Sequence, residues 1–153
     1  MTSLGFPVVF DTDYSFYSTS LGLYLSYHTA SHYAILDSNP EGIWFATKQN
    51  VEPGQPIPTG SPLSVGVEIV AIDHWLYWPG NSDAYWSDLS GYNYEIQLFT
   101  DLNQTQGVPI NVGNSIYFYF PLSGGYLVQD PNNKEYLTVG PAANALSWTV
   151  GNT

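Results

Sequence analysis

Three short segments share one pattern and divide the chain into thirds. Residues 5–10 read GFPVVF, residues 60–65 read GSPLSV and residues 107–112 read GVPINV. In each, a glycine and a proline that interrupt regular structure precede two apolar residues spaced two apart: Val8/Phe10, Leu63/Val65 and Ile110/Val112. The prolines Pro7, Pro62 and Pro109 lie 55 and 47 residues apart in a chain of 153, and the stretch after the third is of similar length. A period on this scale constrains architecture more than any single element does.

Later landmarks recur in step. An aromatic–leucine strand signal follows each seam, at Tyr24/Leu25, Trp75/Leu76 and Tyr126/Leu127. A tyrosine comes next, at Tyr33, Tyr85 and Tyr136, and then a second apolar pair at Ile43/Phe45, Ile96/Leu98 and Leu146/Trp148. Alternating pairs are the period-two signal of strands with one buried face. The segments NPEG (39–42), PGNSD (79–83) and DPNN (130–133) supply turn dihedrals between them. Each unit therefore predicts four short strands. The chain is expected to be one all-β domain over residues 1–153, with repeats of approximately 5–50, 60–104 and 107–153. Pro62 to Trp75 spans 13 residues where the other units use 17, so the second unit should have a tighter first hairpin. The first unit adds a proline-rich linker over residues 48–62, which predicts a stiff, extended surface loop.

Propellers normally need four to eight blades, and a three-unit solenoid needs capping repeats. The pattern resembles the β-trefoil superfamily along essentially the whole chain. The resemblance implies a six-stranded barrel built from the first and fourth strands of each unit, closed at one end by three hairpins. It would place the paired apolar residues in the barrel, and Tyr24, Tyr33, Tyr126 and Tyr136 in the hairpin cap.

Composition removes several functions. The chain has 13 carboxylates against Lys48, Lys134 and no arginine, a net charge of −11. Two lysines cannot neutralise a row of phosphates, so neither nucleic acid nor an anionic membrane surface is an expected partner. Without cysteine there is no disulfide framework, and no apolar run approaches the ~20 residues that span a bilayer. The first residues carry neither a basic region nor a long apolar run. A cytoplasmic protein, or one secreted without a classical signal peptide, is the expectation. In a secretory protein Asn103 would head a glycosylation sequon. The aromatic content admits a homodimer.

No catalytic signature stands out, and neither enzyme activity, a cofactor nor a metal is expected. His28 and His32 have metal-ligand spacing for a helix, but they flank a turn between strands. Asp11 and Asp13 lack further ligands for calcium. Glu68 and Asp73 have nothing to set them across a cleft as glycosidase acids.

Function is thus expected from loops that bind. The first reading is an inhibitor of cysteine or aspartic proteases of the papain or pepsin kind. In overall character the chain resembles the small, acidic, cysteine-free mushroom trefoil inhibitors, the mycocypins and cocaprins. A proline-stiffened loop loses little entropy on binding, which suits an inhibitory wedge. The candidate residues are Val51, Glu52, Pro53, Gly54, Gln55, Pro56, Ile57 and Pro58. The alternative is a carbohydrate-binding lectin that uses an aromatic face with Asn/Asp side chains, here Trp78, Asn81 and Asp83. Ricin-B-type lectins carry Gln-x-Trp in the last strand of each unit, and the glutamine is missing at all three matching positions.

Overall fold

The computed structural model describes residues 5–47, 53–89 and 94–153. Among these the chain is all-β, with twelve strands in one antiparallel sheet and a single 3-10 turn, Ala142–Asn144, in place of any α-helix. The strands are β1 (Tyr14–Ser18), β2 (Leu23–Tyr27), β3 (Ala34–Asp37), β4 (Ile43–Ala46), β5 (Ser64–Ile69) and β6 (Ile72–Tyr77). They continue with β7 (Tyr85–Ser87), β8 (Gln97–Phe99), β9 (Ser115–Phe120), β10 (Gly125–Gln129), β11 (Leu137–Gly140) and β12 (Trp148–Asn152).

Alternation explains which side chains turn inward. In β9, SIYFYF, Ile116, Phe118 and Phe120 are buried while Tyr117 and Tyr119 are half-buried. In β5 Val65, Val67 and Ile69 face the core and Glu68 faces solvent; in β6 His74 and Leu76 face in while Asp73 is exposed and Trp75 and Tyr77 are half-buried. The inward residues meet in one cluster. Its aromatic centre has Phe16 set edge-on to Phe45 and Phe118, with ring centroids 5.5 and 5.4 Å apart. Trp148 packs beside Phe118, and its buried indole N–H has no hydrogen-bond partner among the described residues.

Pairing follows a recurring scheme. Strands β1–β2–β3, β5–β6–β7 and β9–β10–β11 each zigzag with neighbours hydrogen-bonded. Between these triplets β4 joins β1 to β5, β8 pairs with β9, and β12 joins β9 to β1. Leu63 and Ile96, just ahead of β5 and β8, form a further two-bond bridge, with N···O distances of 3.0 and 2.8 Å. Residues at the far ends of the triplets also touch, through the bridges Tyr33/Tyr85 and Ile35/Tyr136.

Two expectations are corrected. The pairs Val8/Phe10 and Ile110/Val112 are buried, yet they lie in no strand; β1 and β9 begin later, at Tyr14 and Ser115. The seams bond to one another instead: the Val8 amide donates to the Ile110 carbonyl at 2.8 Å and the Val112 amide to the Phe6 carbonyl at 2.8 Å. Asp11, at φ +61°, then turns the chain before β1. The linker is also not simply a surface loop. Ile57 is 1% exposed and belongs to the core, and its amide donates to the Val8 carbonyl at 3.0 Å.

Candidate functional site

The C-terminal end of β6 carries Leu76, Tyr77 and Trp78 to the edge of a small cleft open to solvent, whose volume of about 360 Å³ includes the solvent at its mouth. Tyr94, Glu95 and Ile96, leading into β8, form a second wall, and Phe120, Leu122 and Ser123 from the β9–β10 turn form the third. Leu76, Ile96 and Phe120 are buried and make the floor. Tyr77, Trp78 and Tyr94 are half-buried walls, while Glu95 and Ser123 are exposed at the rim and Leu122, 91% exposed, projects above it.

The walls hold one another in place. The Tyr77 and Tyr94 rings lie 4.3 Å apart at 39°, and Tyr85 packs edge-on to Tyr77 at 5.4 Å. The Tyr94 hydroxyl is 3.3 Å from the Ser87 hydroxyl. The Trp78 indole N–H donates to the Ser82 carbonyl at 2.8 Å and to Thr138 Oγ1 at 3.2 Å, and Thr138 Oγ1 donates to the same carbonyl at 3.3 Å. Trp78 therefore spends its polar group on the protein and leaves its ring to line the cleft. Ser123 likewise donates to the Phe120 carbonyl at 3.1 Å.

Of the predicted sugar-binding residues, Trp78 lines this cleft, packed in part against the core. Asn81 stands exposed in the 79–83 turn. Asp83 points elsewhere, to a carboxyl pair with Asp130. Burial, then the hydrogen bond and charge of Asp130, push the Asp83 carboxyl up to about 6, while the hydrogen bond from Asp83 holds Asp130 below the usual range. Below about pH 6 the protonated Asp83 ties the 79–83 turn to Asp130 in the turn after β10. The sequence reading missed Tyr94, Glu95, Phe120 and Leu122. Tyr94 and Glu95 lie well downstream in the same unit and Phe120 and Leu122 in the next, and no local spacing links them to Trp78.

Of the predicted inhibitory loop, Val51 and Glu52 lie outside the described residues. Pro53, Gly54, Gln55, Pro56 and Pro58 are exposed, whereas Ile57 is buried and offers no surface to a partner. The segment is pinned: the Gly54 amide donates to the Phe10 carbonyl at 3.2 Å and the Phe10 amide to the Gln55 carbonyl at 3.1 Å. Pro56 and Pro58 form bridges opposite Val9 and Pro109.

The remaining chemical candidates separate. His32 lies edge-on to the buried His74 with ring centroids 4.7 Å apart, and the His28 Nδ1 accepts from the Ser31 amide. Glu68 and Asp73 are exposed cross-strand neighbours on one hairpin, not residues facing across a cleft.

No protein-family model matches the chain, and no curated protein does. Solved structures do resemble it. A chain of the lysenin pore superposes with a TM-score of 0.58 at 10% identity over 98% of this chain and 50% of that one. A Caenorhabditis elegans protein of unknown function superposes with a TM-score of 0.60 at 13% identity, covering 95% of this chain and 96% of that one. The chain thus spans about half the length of the lysenin chain and nearly the whole of the nematode protein. At these identities the likeness is one of fold, an all-β architecture shared with both.

Proposed function

We propose that the chain is a β-trefoil and acts as a non-catalytic binding protein that takes a glycan in the cleft at Trp78. The barrel reading is supported by the pairing sequence β1–β4–β5, the Leu63/Ile96 bridge toward β8, and the return through β9 and β12 to β1. The hairpins β2–β3, β6–β7 and β10–β11 would be the cap. The observation that carries the glycan reading is the convergence of aromatic walls from two separate parts of the chain, Tyr77/Trp78 and Tyr94, with Leu122 from a third, on one concave surface with a carboxylate at its rim. Apolar ring faces and a few polar groups are what a sugar requires. A glycan array run with the native chain and with Trp78→Ala tests it. Binding lost in the variant supports the reading; a blank array, or binding indifferent to Trp78, removes it.

A second reading, inhibition of a papain-like or pepsin-like protease, draws on the pinned segment over residues 53–58. Its exposed residues sit on a backbone already held by Phe10 and Val8, so ordering on binding would cost little. Inhibition that survives Trp78→Ala but is lost when residues 53–56 become Gly/Ser would favour this reading over the glycan.

A further inference from the structure

The same cleft has a chemistry more specific than sugar binding in general. A neutral polyol is held by several convergent donors and acceptors. Here the Trp78 N–H is committed to Ser82 and Thr138, and the Ser123 hydroxyl to Phe120. What faces the opening is aromatic and aliphatic surface from Tyr77, Trp78, Tyr94 and Leu122, with Glu95 as the one carboxylate among the described lining residues. A cation with apolar flanks fits this set. Its charge is attracted to ring faces and to a carboxylate without directional hydrogen bonds, and its methyl or methylene groups cover apolar wall. The charge of the whole chain agrees. Its net charge is −11, Lys134 in the turn before β11 is not among the lining residues, and Lys48 is the only other cationic side chain of the lysine or arginine type.

We propose that the cleft recognises an alkylammonium centre, carried either by a sugar as a free amine or by a quaternary ammonium group. The inference rests on the cleft being the binding site. Calorimetric titration with four probes tests it: choline, its uncharged isostere 3,3-dimethylbutan-1-ol, glucosamine and N-acetylglucosamine. Choline or glucosamine should bind at least about tenfold more tightly than its uncharged counterpart, the size expected of a cation–π and carboxylate site. Glu95→Gln should weaken the cation several-fold and leave the neutral probe unchanged, and Tyr94→Leu should weaken both. Glu95 is exposed, so its substitution leaves the core intact. Preference for glucosamine alone identifies a sugar-borne amine, and preference for choline alone a quaternary headgroup. Equal binding of charged and uncharged probes, no binding of either cation, or indifference to Glu95→Gln overturns the proposal. Neutral sugars that bind while both cations fail would sink this inference and leave the glycan reading standing. Choline binding with a blank glycan array would do the reverse.

Discussion

Gly66 gives the sharpest test of the packing. It sits mid-strand in β5, opposite Trp44 on β4 and Trp75 on β6. The two indoles meet edge-on over it with ring centroids 6.1 Å apart. A Cβ at position 66 would lie 2.8 Å from Cε2 and 2.9 Å from Nε1 of Trp44, and 2.9 Å from Cζ3 of Trp75. The backbone here does not require glycine, so Gly66→Ala in open space would gain about 0.5–1 kcal/mol through reduced chain entropy. Forcing two rings aside costs about 1–3 kcal/mol. The expected net is a loss of about 1–2 kcal/mol, or roughly 2–8 °C in Tm for a domain of this size. Urea denaturation with an unchanged m-value measures it. In a Trp44→Ala background two of the three close contacts vanish, so the cost should shrink by about 1 kcal/mol or more, a coupling that a double-mutant cycle isolates. The reasoning fails if Gly66→Ala stabilises the native chain, or if its cost is the same with and without Trp44.

Three further outcomes are expected. The β5–β6 hairpin turns on Val70 and Ala71 at φ +51° and +62°, a conformation costly for a β-branched residue, so Val70→Asn with Ala71→Gly should stabilise by about 1–2 kcal/mol in thermal melts. Ile57→Ala should destabilise by about 2–5 kcal/mol in urea, since the side chain is in the core; a change under about 0.5 kcal/mol would return the segment to a plain surface loop. The Asp83–Asp130 pair should give stability a pH dependence of defined sign. Asp83, raised to about 6, contributes fully below the unfolded carboxyl value of about 3.9 and loses its contribution as pH rises through 6. Asp130, lowered, contributes above about 3.9 and loses its contribution as pH falls through its own depressed value. The pair therefore supports the fold best near pH 4 and loses support as pH rises toward about 6, and Asp83→Asn, which keeps a donor without a titrating group, should flatten that decline in melts run across pH.

The strands that were legible in the sequence are those whose period-two pairs coincide with ladder hydrogen bonds. Ile43/Phe45 fall within β4 and Tyr24, Trp75 and Tyr126 within β2, β6 and β10. The opening strands were not legible in two of the three segments, because burial and pairing come apart there. Val8 and Ile110 are fully inside yet bond seam to seam, while Tyr14–Ser18 and Ser115–Phe120, rich in tyrosine, form the ladders. Ile57 was hidden for a related reason: prolines on both sides mark a loop, but say nothing about where the side chain between them points. Of the cleft, only Trp78 stood out, through its place beside Pro79. Tyr94, Glu95, Phe120 and Leu122 reach it through tertiary structure that no local pattern encodes.

The central claim, that ligand enters the cleft at Trp78, is tested most directly by two-dimensional NMR of the indole N–H groups. Five tryptophans give five signals, and Trp86 and Trp148 are buried in the core as internal references. Titration with the best-binding glycan or ammonium probe should move the Trp78 signal while those of Trp86 and Trp148 stay in place. A ligand that saturates the protein with the Trp78 signal unmoved would contradict the account.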